Sequence, residues 1–293
     1  MTAIPEAFGK PIAHLLQVPV MVAFCLALGC PAANTAMAAV LQPATLIAWG
    51  QYVQWADRKV QREISDRSVF LIQNTLPDQE KSSIRRMMEE GRAFVRPMTG
   101  IVPRGKSFNV PDGEIHHWWG TILVPGITMP KLMAFLQDYD HHAGKFSDVE
   151  RSRLISREGS HFRFYLRLRR TKAFVTAYYN TEQECTYTSY GPSRIFSQSA
   201  ATKIAELDNP GKPEESERPS GNDRGFLWKL VSWWRFEQTD KGVIIELESA
   251  SLSRDIPALV TWIPGVSSYI RSTPRESLES VLMSIKAHAG SGR

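Results

Sequence analysis

An amphipathic segment near the C-terminus, Thr273–His288, constrains the fold more than any other stretch of this sequence. Thr273 and Glu276 have the spacing of a capping box and Pro274 suits the first helical position, so a helix is predicted to begin at Thr273. Its apolar residues recur at intervals of three and four, which places them on one helix face: Leu278, Val281, Leu282 and Ile285. Such a helix must bury that face against another element.

The partner of this helix is predicted to be an antiparallel sheet, because most of the sequence between Glu114 and Ser253 has the pattern of strands. The clearest strand is His161–Arg170. Its two faces differ, with Phe162, Phe164, Leu166 and Leu168 on one side and His161, Arg163, Tyr165, Arg167 and Arg169 on the other. We therefore predict an α+β protein in which a curved antiparallel sheet wraps around the long C-terminal helix.

Three connections between strands follow from local composition. Ala173–Tyr179 and Cys185–Tyr190 are interpreted as a hairpin, since both are rich in the Tyr, Thr and Val that strands favour. Asp208–Asp223 is polar and rich in Pro, Gly and Ser, so it is interpreted as a long connection between neighbouring strands. Phe226–Glu237 and Val243–Ser253 are predicted to pair across a turn.

The first residues have the features of an export signal. The apolar run Val18–Leu28 is short for a membrane span, and Ala36-Met37-Ala38 is an A-x-A-like cleavage site. Residues 1–38 are therefore predicted to be a signal peptide cleaved before Ala39, which makes the protein periplasmic or secreted. The alternative is that this segment stays uncleaved as a short helix that anchors the protein to a membrane.

The rest of the chain is predicted to divide into two regions after residue 110. Residues 39–110 are predicted to be a helical extension and linker, with helical patterns between Ala48 and Arg96, and residues 111–289 hold the sheet and the last helix. The formal net charge of +5 over 293 residues is mild and is not concentrated in runs, so no nucleic-acid partner is predicted.

Cleavage of the signal would remove two of the three cysteines, Cys25 and Cys30, and leave Cys185. A single cysteine cannot form an internal disulfide, and no metal-ligand spacing surrounds it, so no cofactor or metal is predicted. His116-His117 and His141-His142, near Asp138 and Asp140, are metal-ligand residue types. Adjacent residues of a strand point to opposite faces, however, which favours hydrogen-bonded or solvated histidines over a metal site.

The order of strand, helix, several antiparallel strands and long last helix resembles the START-like (SRPBCC) superfamily. Phe135–Tyr139, followed by Lys145–Leu154, is similar to the family's first helix running into its second strand. Trp234–Glu237, Gly242–Glu248 and the last helix are similar to its closing hairpin and grip helix. The resemblance covers roughly Gly113–His288. It departs from the family at Val243, where many members have Thr, and in the length of the 208–223 loop.

The resemblance implies a helix-grip fold with a hydrophobic cavity between the sheet and the last helix, as in lipid-binding START domains. The residues predicted to line it are Trp118, Phe135, Phe162, Phe164, Leu166, Tyr178, Trp234, Leu278, Leu282 and Ile285. In this interpretation the central strand faces the helix and the aromatic residues close the ends. The alternative is that these side chains interlock into a filled core.

Two further segments are candidates for function. Arg254, next to Asp255 at the predicted end of a strand, could hold a ligand head group through a charge-assisted hydrogen bond. The alternative is a structural ion pair or a turn cap. Leu259–Val266, with Trp262, could be a lid that touches a membrane transiently, although burial beneath the helix is favoured.

The favoured hypothesis is a protein that binds or carries a hydrophobic, lipid-like ligand and performs no chemistry. The first alternative is a polyketide cyclase-like or hydrolase-like enzyme that uses Asp255 or a tyrosine of the cavity as acid or base. The second is an interaction module with a filled core. The sequence contains no nucleophile elbow, P-loop or dinucleotide-binding motif, so no further class of enzyme is predicted from motifs.

Overall fold

The computed structural model describes residues 39–66, 68–98, 108–172, 175–219, 221–255 and 266–290, all of which belong to one compact unit, Ala39–Arg293. The predicted signal peptide and the lid segment 259–265 lie outside the described residues.

The described residues form four α-helices and eleven strands. In chain order these are β1 (Ala39–Val40), α1 (Pro43–Ser65), α2 (Asp78–Glu89), β2 (Phe94–Pro97), β3 (Gly113–Pro125), α3 (Met129–Leu136), β4 (Val149–Glu158), β5 (His161–Lys172), β6 (Val175–Ser189), β7 (Arg194–Asp208), β8 (Ser216–Glu217), β9 (Asn222–Asp223), β10 (Lys229–Thr239), β11 (Gly242–Arg254) and α4 (Val266–His288). Single 3-10 turns occur at Ile72–Thr75 and Tyr139–His141.

The centre of the molecule is an antiparallel sheet with the strand order β2-β3-β11-β10-β7-β6-β5-β4, and β8 adds to β7. Helix α4 packs on β3, β2 and β11. We call the face that carries α4 the inner face and the opposite face the outer face. The predicted α+β helix-grip architecture, a curved antiparallel sheet with a long C-terminal helix, is confirmed.

The outer face is covered by the N-terminal helices. Trp49, Tyr52 and Trp55 of α1 share a buried cluster with Trp233 of β10 and Leu252 of β11. Helix α2 contributes to a second cluster, which lies over β3. The sheet is therefore covered by helices on both sides.

The sequence predicts helical patterns between Ala48 and Arg96, but this region is not entirely helical. It ends in strand β2, which pairs with β3 at the edge of the sheet. Phe94–Pro97 is short and ends in proline, so its composition alone does not mark it as a strand, and its pairing depends on the neighbouring β3. This short, proline-terminated strand suits an exposed sheet edge.

The predicted start of the last helix is wrong. Helix α4 begins at Val266, and Pro274 lies inside it. Glu276 accepts a hydrogen bond from the Ser272 hydroxyl at 3.1 Å, a contact between residues four apart along a helix. A capping-box pattern is local, whereas most of a helix's stability comes from the packing of its apolar face, which can offset the one backbone hydrogen bond that proline removes.

The predicted hairpin at 173–190 is also wrong, because Val175–Ser189 is one continuous strand. The polar residues in its middle do not form a turn. They pair with residues of β5 on the outer face, Asn180 with Arg167, Glu182 with Tyr165 and Glu184 with Arg163. Cross-strand pairs of polar and charged side chains stabilise a sheet, so polar composition here marks an outward face.

Helix α4 approaches the sheet most closely at Gly120 of β3. A Cβ atom at that position would lie 2.5 Å from Leu278 Cδ2 and 3.0 Å from Leu282 Cδ1. Both leucines are buried in the core between helix and sheet, so neither can move aside without disturbing its neighbours. The absence of a side chain at Gly120 lets the helix lie directly on the strand.

Replacing Gly120 by alanine is therefore expected to lower the unfolding free energy by about 1–3 kcal/mol, the usual range for overpacking a core. Urea denaturation measures this loss. Gly50→Ala in α1 is the control, since nothing lies within 4 Å of an added Cβ there, and it should gain about 0.5–1 kcal/mol. Equal effects of the two substitutions would contradict the close contact.

Candidate ligand-binding site on the inner face

A row of small side chains crosses the middle of the inner face. The register places four of them side by side on neighbouring strands, Cys185 of β6, Ser199 of β7, Ser232 of β10 and Ser249 of β11. Phe162 of β5 flanks this row at one end and Trp118 of β3 at the other. We call the four residues the small-residue row. Because these side chains are short, the sheet does not itself fill the volume above them.

One wall beside this row is formed by α4 and α3. Leu278, Leu282 and Ile285 of α4 are buried in a cluster that includes Leu132 and Leu136 of α3. The same cluster is joined by three of the aromatic residues predicted to line the cavity, Trp118, Phe135 and Trp234. The structure thus brings six of the predicted residues together in one wall.

The opposite wall is formed by β5 and the turn at Tyr139. The Tyr139 ring stacks on Phe164 with centroids 4.0 Å apart and lies 5.5 Å from Phe162. Leu166 packs against this cluster, which also contains Cys185. The expectation that these β5 residues face α4 directly is not met, because Tyr139 covers them. Tyr187 of β6 packs against both walls.

Two predicted lining residues, Tyr178 and Arg254, belong to the outer face. Tyr178 pairs with Arg169, and the guanidinium groups of Arg167 and Arg169 lie 5.7 and 5.9 Å from its ring. The continuity of β6 explains this, because Tyr178 is an odd number of residues from Cys185 and must point to the opposite face.

Arg254 falls on the outer face by the same alternation, since it is two residues from Leu252 in β11. Its side chain lies against Gly225, where an added Cβ would be 2.8 Å from Arg254 Cβ. Its neighbour Asp255 is exposed and follows the end of β11, so the structure places neither residue over the small-residue row.

The residues around the small-residue row are less buried than the clusters on either side. Trp118, Tyr187 and Trp234 are half-buried, as is Ser199, although each lies on the inner face near the middle of the sheet. Core positions in such a place are normally packed to full density. These side chains therefore keep accessible surface beside the small-residue row.

The two walls are connected at one edge by polar contacts. Arg170 of β5 donates to Asp148 at 2.7 Å and lies 3.5 Å from a carboxylate oxygen of Glu276 in α4. The hydroxyls of Ser147 and Ser280 are 2.7 Å apart. These contacts hold the middle of α4 to the β4–β5 side of the inner face.

A group of hydroxyls and one thiol, not predicted from the sequence, lies between the walls. Tyr139 Oη and Tyr187 Oη are 3.0 Å apart, and Cys185 Sγ lies 2.9 Å from Ser197 Oγ. Burial raises the pKa of both tyrosines and of the thiol, so all three stay protonated near neutral pH and supply neither a base nor a thiolate. The alternation of β6, correctly continued through residues 180–184, would have placed Cys185 and Tyr187 on this face.

The four histidines of the paired motifs are separated. His117 is buried on the outer face and His116 lies 2.9 Å from the Ser253 hydroxyl. His141 contacts Asp138 at 2.7 Å, while burial lowers the pKa of His142 and favours its neutral form. Within the described residues no three His, Cys, Asp or Glu side chains are placed to hold a metal ion.

Among residues 39–290, outside the gaps named above, no helix combines the length and the apolar character needed to cross a bilayer.

No protein-family model and no curated protein sequence matches the chain. Solved structures similar to it include the STAR-related lipid transfer protein of Xanthomonas axonopodis, at 14% identity and a TM-score of 0.43, covering 62% of this chain and 96% of that one. The Zhui aromatase/cyclase from Streptomyces sp. R1128 is similar at 12% identity and a TM-score of 0.37, over 60% and 94% of the two chains. Human STARD10 is similar at 14% identity and a TM-score of 0.36, over 76% and 84%. Similarities of this strength do not by themselves assign a ligand or an activity.

Proposed function

We propose that the protein binds and carries a hydrophobic, lipid-like ligand between the inner face of the sheet and α4. The observation that carries this proposal is the small-residue row, which lies between two apolar walls and beside aromatic residues that keep accessible surface. Ligand sites are typically concave and apolar with a few polar groups. Here the walls are apolar, and the few polar groups between them are hydroxyls and one thiol.

Carriage is favoured over catalysis by the protonation of the groups between the walls. The tyrosines and the thiol there have raised pKa values, so they donate hydrogen bonds and do not accept protons. Asp255, the acid or base of the enzyme hypothesis, is exposed and follows the end of β11, away from the tyrosines and the thiol.

The export signal at residues 1–38 and the membrane lid at 259–266 stay predictions of the sequence. N-terminal sequencing of the mature protein tests the export signal.

Native mass spectrometry of protein purified without detergent tests the proposal. A carrier is expected to retain a ligand, seen as a mass adduct that organic solvent extracts. Ser199→Trp, which would fill the space above the small-residue row, is expected to reduce the adduct and the uptake of a fluorescent fatty acid at least tenfold.

Ala200→Trp is the matched control, because Ala200 is the next residue of β7, lies on the outer face and is exposed. It should bind as the wild type does. Ligand-free wild-type protein that takes up no apolar probe would exclude carriage, and equal loss in both variants would place the site elsewhere.

A further inference from the structure

We infer that the paired hydroxyls of Tyr139 and Tyr187 bind a neutral oxygen atom set within an otherwise apolar ligand. The inference rests on the proposed function, since both side chains lie on the inner face beside the small-residue row. It goes further by assigning the ligand's chemical class and the atoms that recognise it.

The first argument concerns hydrogens. Two hydroxyls that share one hydrogen bond use one of their two hydrogens, so the second needs its own acceptor. Within the protein that acceptor is the Cys185 sulfur, to which both phenol hydroxyls hydrogen-bond and which also lies 2.9 Å from the Ser197 hydroxyl. Sulfur is a weak acceptor. A ligand oxygen is a stronger acceptor and would replace the sulfur as the partner of that hydrogen.

The second argument concerns position. Tyr139 is buried against Phe164, whereas Tyr187 is half-buried and packs against both walls of the site. The phenol pair therefore lies where a ligand between the walls would pass, and Tyr187 is the member with accessible surface. Phe162 meets the Tyr187 ring edge-on at 5.6 Å, so the surroundings of the hydroxyls are apolar.

The third argument concerns charge. Burial raises the pKa of both tyrosines, which keeps them neutral donors. Two arginines of β4 and β5 share the inner face. Arg170 is engaged by Asp148 and Glu276, and Arg157 is exposed and lies over the Phe162 ring at 4.8 Å. Lys145 lies over the Phe135 ring and 3.9 Å from Asp138. No arginine or lysine of the described residues hydrogen-bonds to either hydroxyl, which favours a ketone, hydroxyl or ether oxygen over a carboxylate or phosphate at this point.

Binding of three matched probes tests the inference. A long-chain dialkyl ketone, the alkane of equal length and the fatty acid of equal length are offered to the full-length protein from cyclodextrin, and bound fractions are measured by native mass spectrometry in competition. The wild type is expected to prefer the ketone over the alkane about fivefold to tenfold, which corresponds to one net hydrogen bond.

Tyr187→Phe removes the hydroxyl and keeps the ring, and it is expected to abolish the preference while alkane binding persists. Tyr139→Phe should do the same, and Tyr178→Phe on the outer face should leave the preference intact. Equal binding of ketone and alkane by the wild type, or preference for the fatty acid, would overturn this inference and leave carriage standing. Failure to bind any of the three probes would count against the proposed function itself.

Discussion

Replacing Arg235 by methionine is expected to lower the unfolding free energy by about 3–5 kcal/mol, the range seen when one partner of a buried ion pair is removed. Arg235 of β10 is fully buried on the outer face, beneath α1. Its guanidinium donates to Glu63 at 2.6 Å and to Glu248 at 3.4 Å, and it lies 3.8 Å from Glu246. Glu246 and Glu248 are themselves fully buried, so the variant would leave their charge poorly compensated.

The same group of charges holds α1 to the sheet. Lys59 of α1 donates to Glu248 at 3.0 Å, and His117 Nε2 lies 3.0 Å from the same carboxylate. Tyr52 Oη is 2.6 Å from His117 Nδ1. Loss of Arg235 should therefore loosen α1 first, which hydrogen exchange of the α1 amides would detect alongside the loss in urea denaturation.

Arg92→Met is the matched control, since Arg92 pairs with Glu90 on the surface and the two side chains are 59% and 48% exposed. Exposed pairs contribute little, so this variant should change stability by less than about 1 kcal/mol. If Arg235→Met proved no more destabilising than Arg92→Met, the buried charges would have to be neutralised in another way.

The strand pattern and the amphipathic last helix were enough to predict the architecture, because both are periodic over many residues. The alternation of β5 assigned its apolar and arginine faces correctly. The error at β6 came from polar residues that resemble a turn, and it misplaced Tyr178 and concealed Tyr187. Alternation is a strict rule, so one wrong strand break reverses the face of every residue beyond it.

The outer-face charges could not have been found in this way. Glu246 and Glu248 alternate with Ile245 and Leu247, which is the pattern of a strand with one solvated face. Only the packing of α1 and of the Ile72–Thr75 turn over that face turns both carboxylates into buried groups. The contact joins Glu63 to Arg235 across a long sequence separation, and no local pattern carries that information.

The burial of Glu246 also predicts that the unfolding free energy depends on pH. Glu246 accepts hydrogen bonds from the backbone amides of Ile72 and Gln73, at 2.6 and 3.0 Å. Its full burial nevertheless raises its pKa from 4.5 to about 7, against the opposing effects of Arg235 and the two amides. At Glu248 burial acts in the same direction, but the His117 contact and the charges of Lys59, His117 and Arg235 outweigh it and lower the pKa.

The two carboxylates therefore act on stability with opposite signs. Glu246 binds its proton more tightly in the folded state, so its contribution is complete below pH 4.5 and is lost as the pH rises through about 7. Glu248 contributes above pH 4.5, and its contribution is lost on acidification. Between mildly acidic and mildly alkaline pH, Glu246 alone of this pair changes its protonation.

Glu246→Gln should accordingly flatten the pH profile. From about pH 5.5 to about pH 8 the wild type is expected to lose about 2 kcal/mol of unfolding free energy relative to the variant, since each unit of pKa difference is worth about 1.4 kcal/mol. Urea denaturation of both proteins across this range measures the difference, with other titrating groups cancelling between them. Parallel profiles would show that Glu246 is ionised throughout, and that Arg235 and the two amides fully compensate its burial.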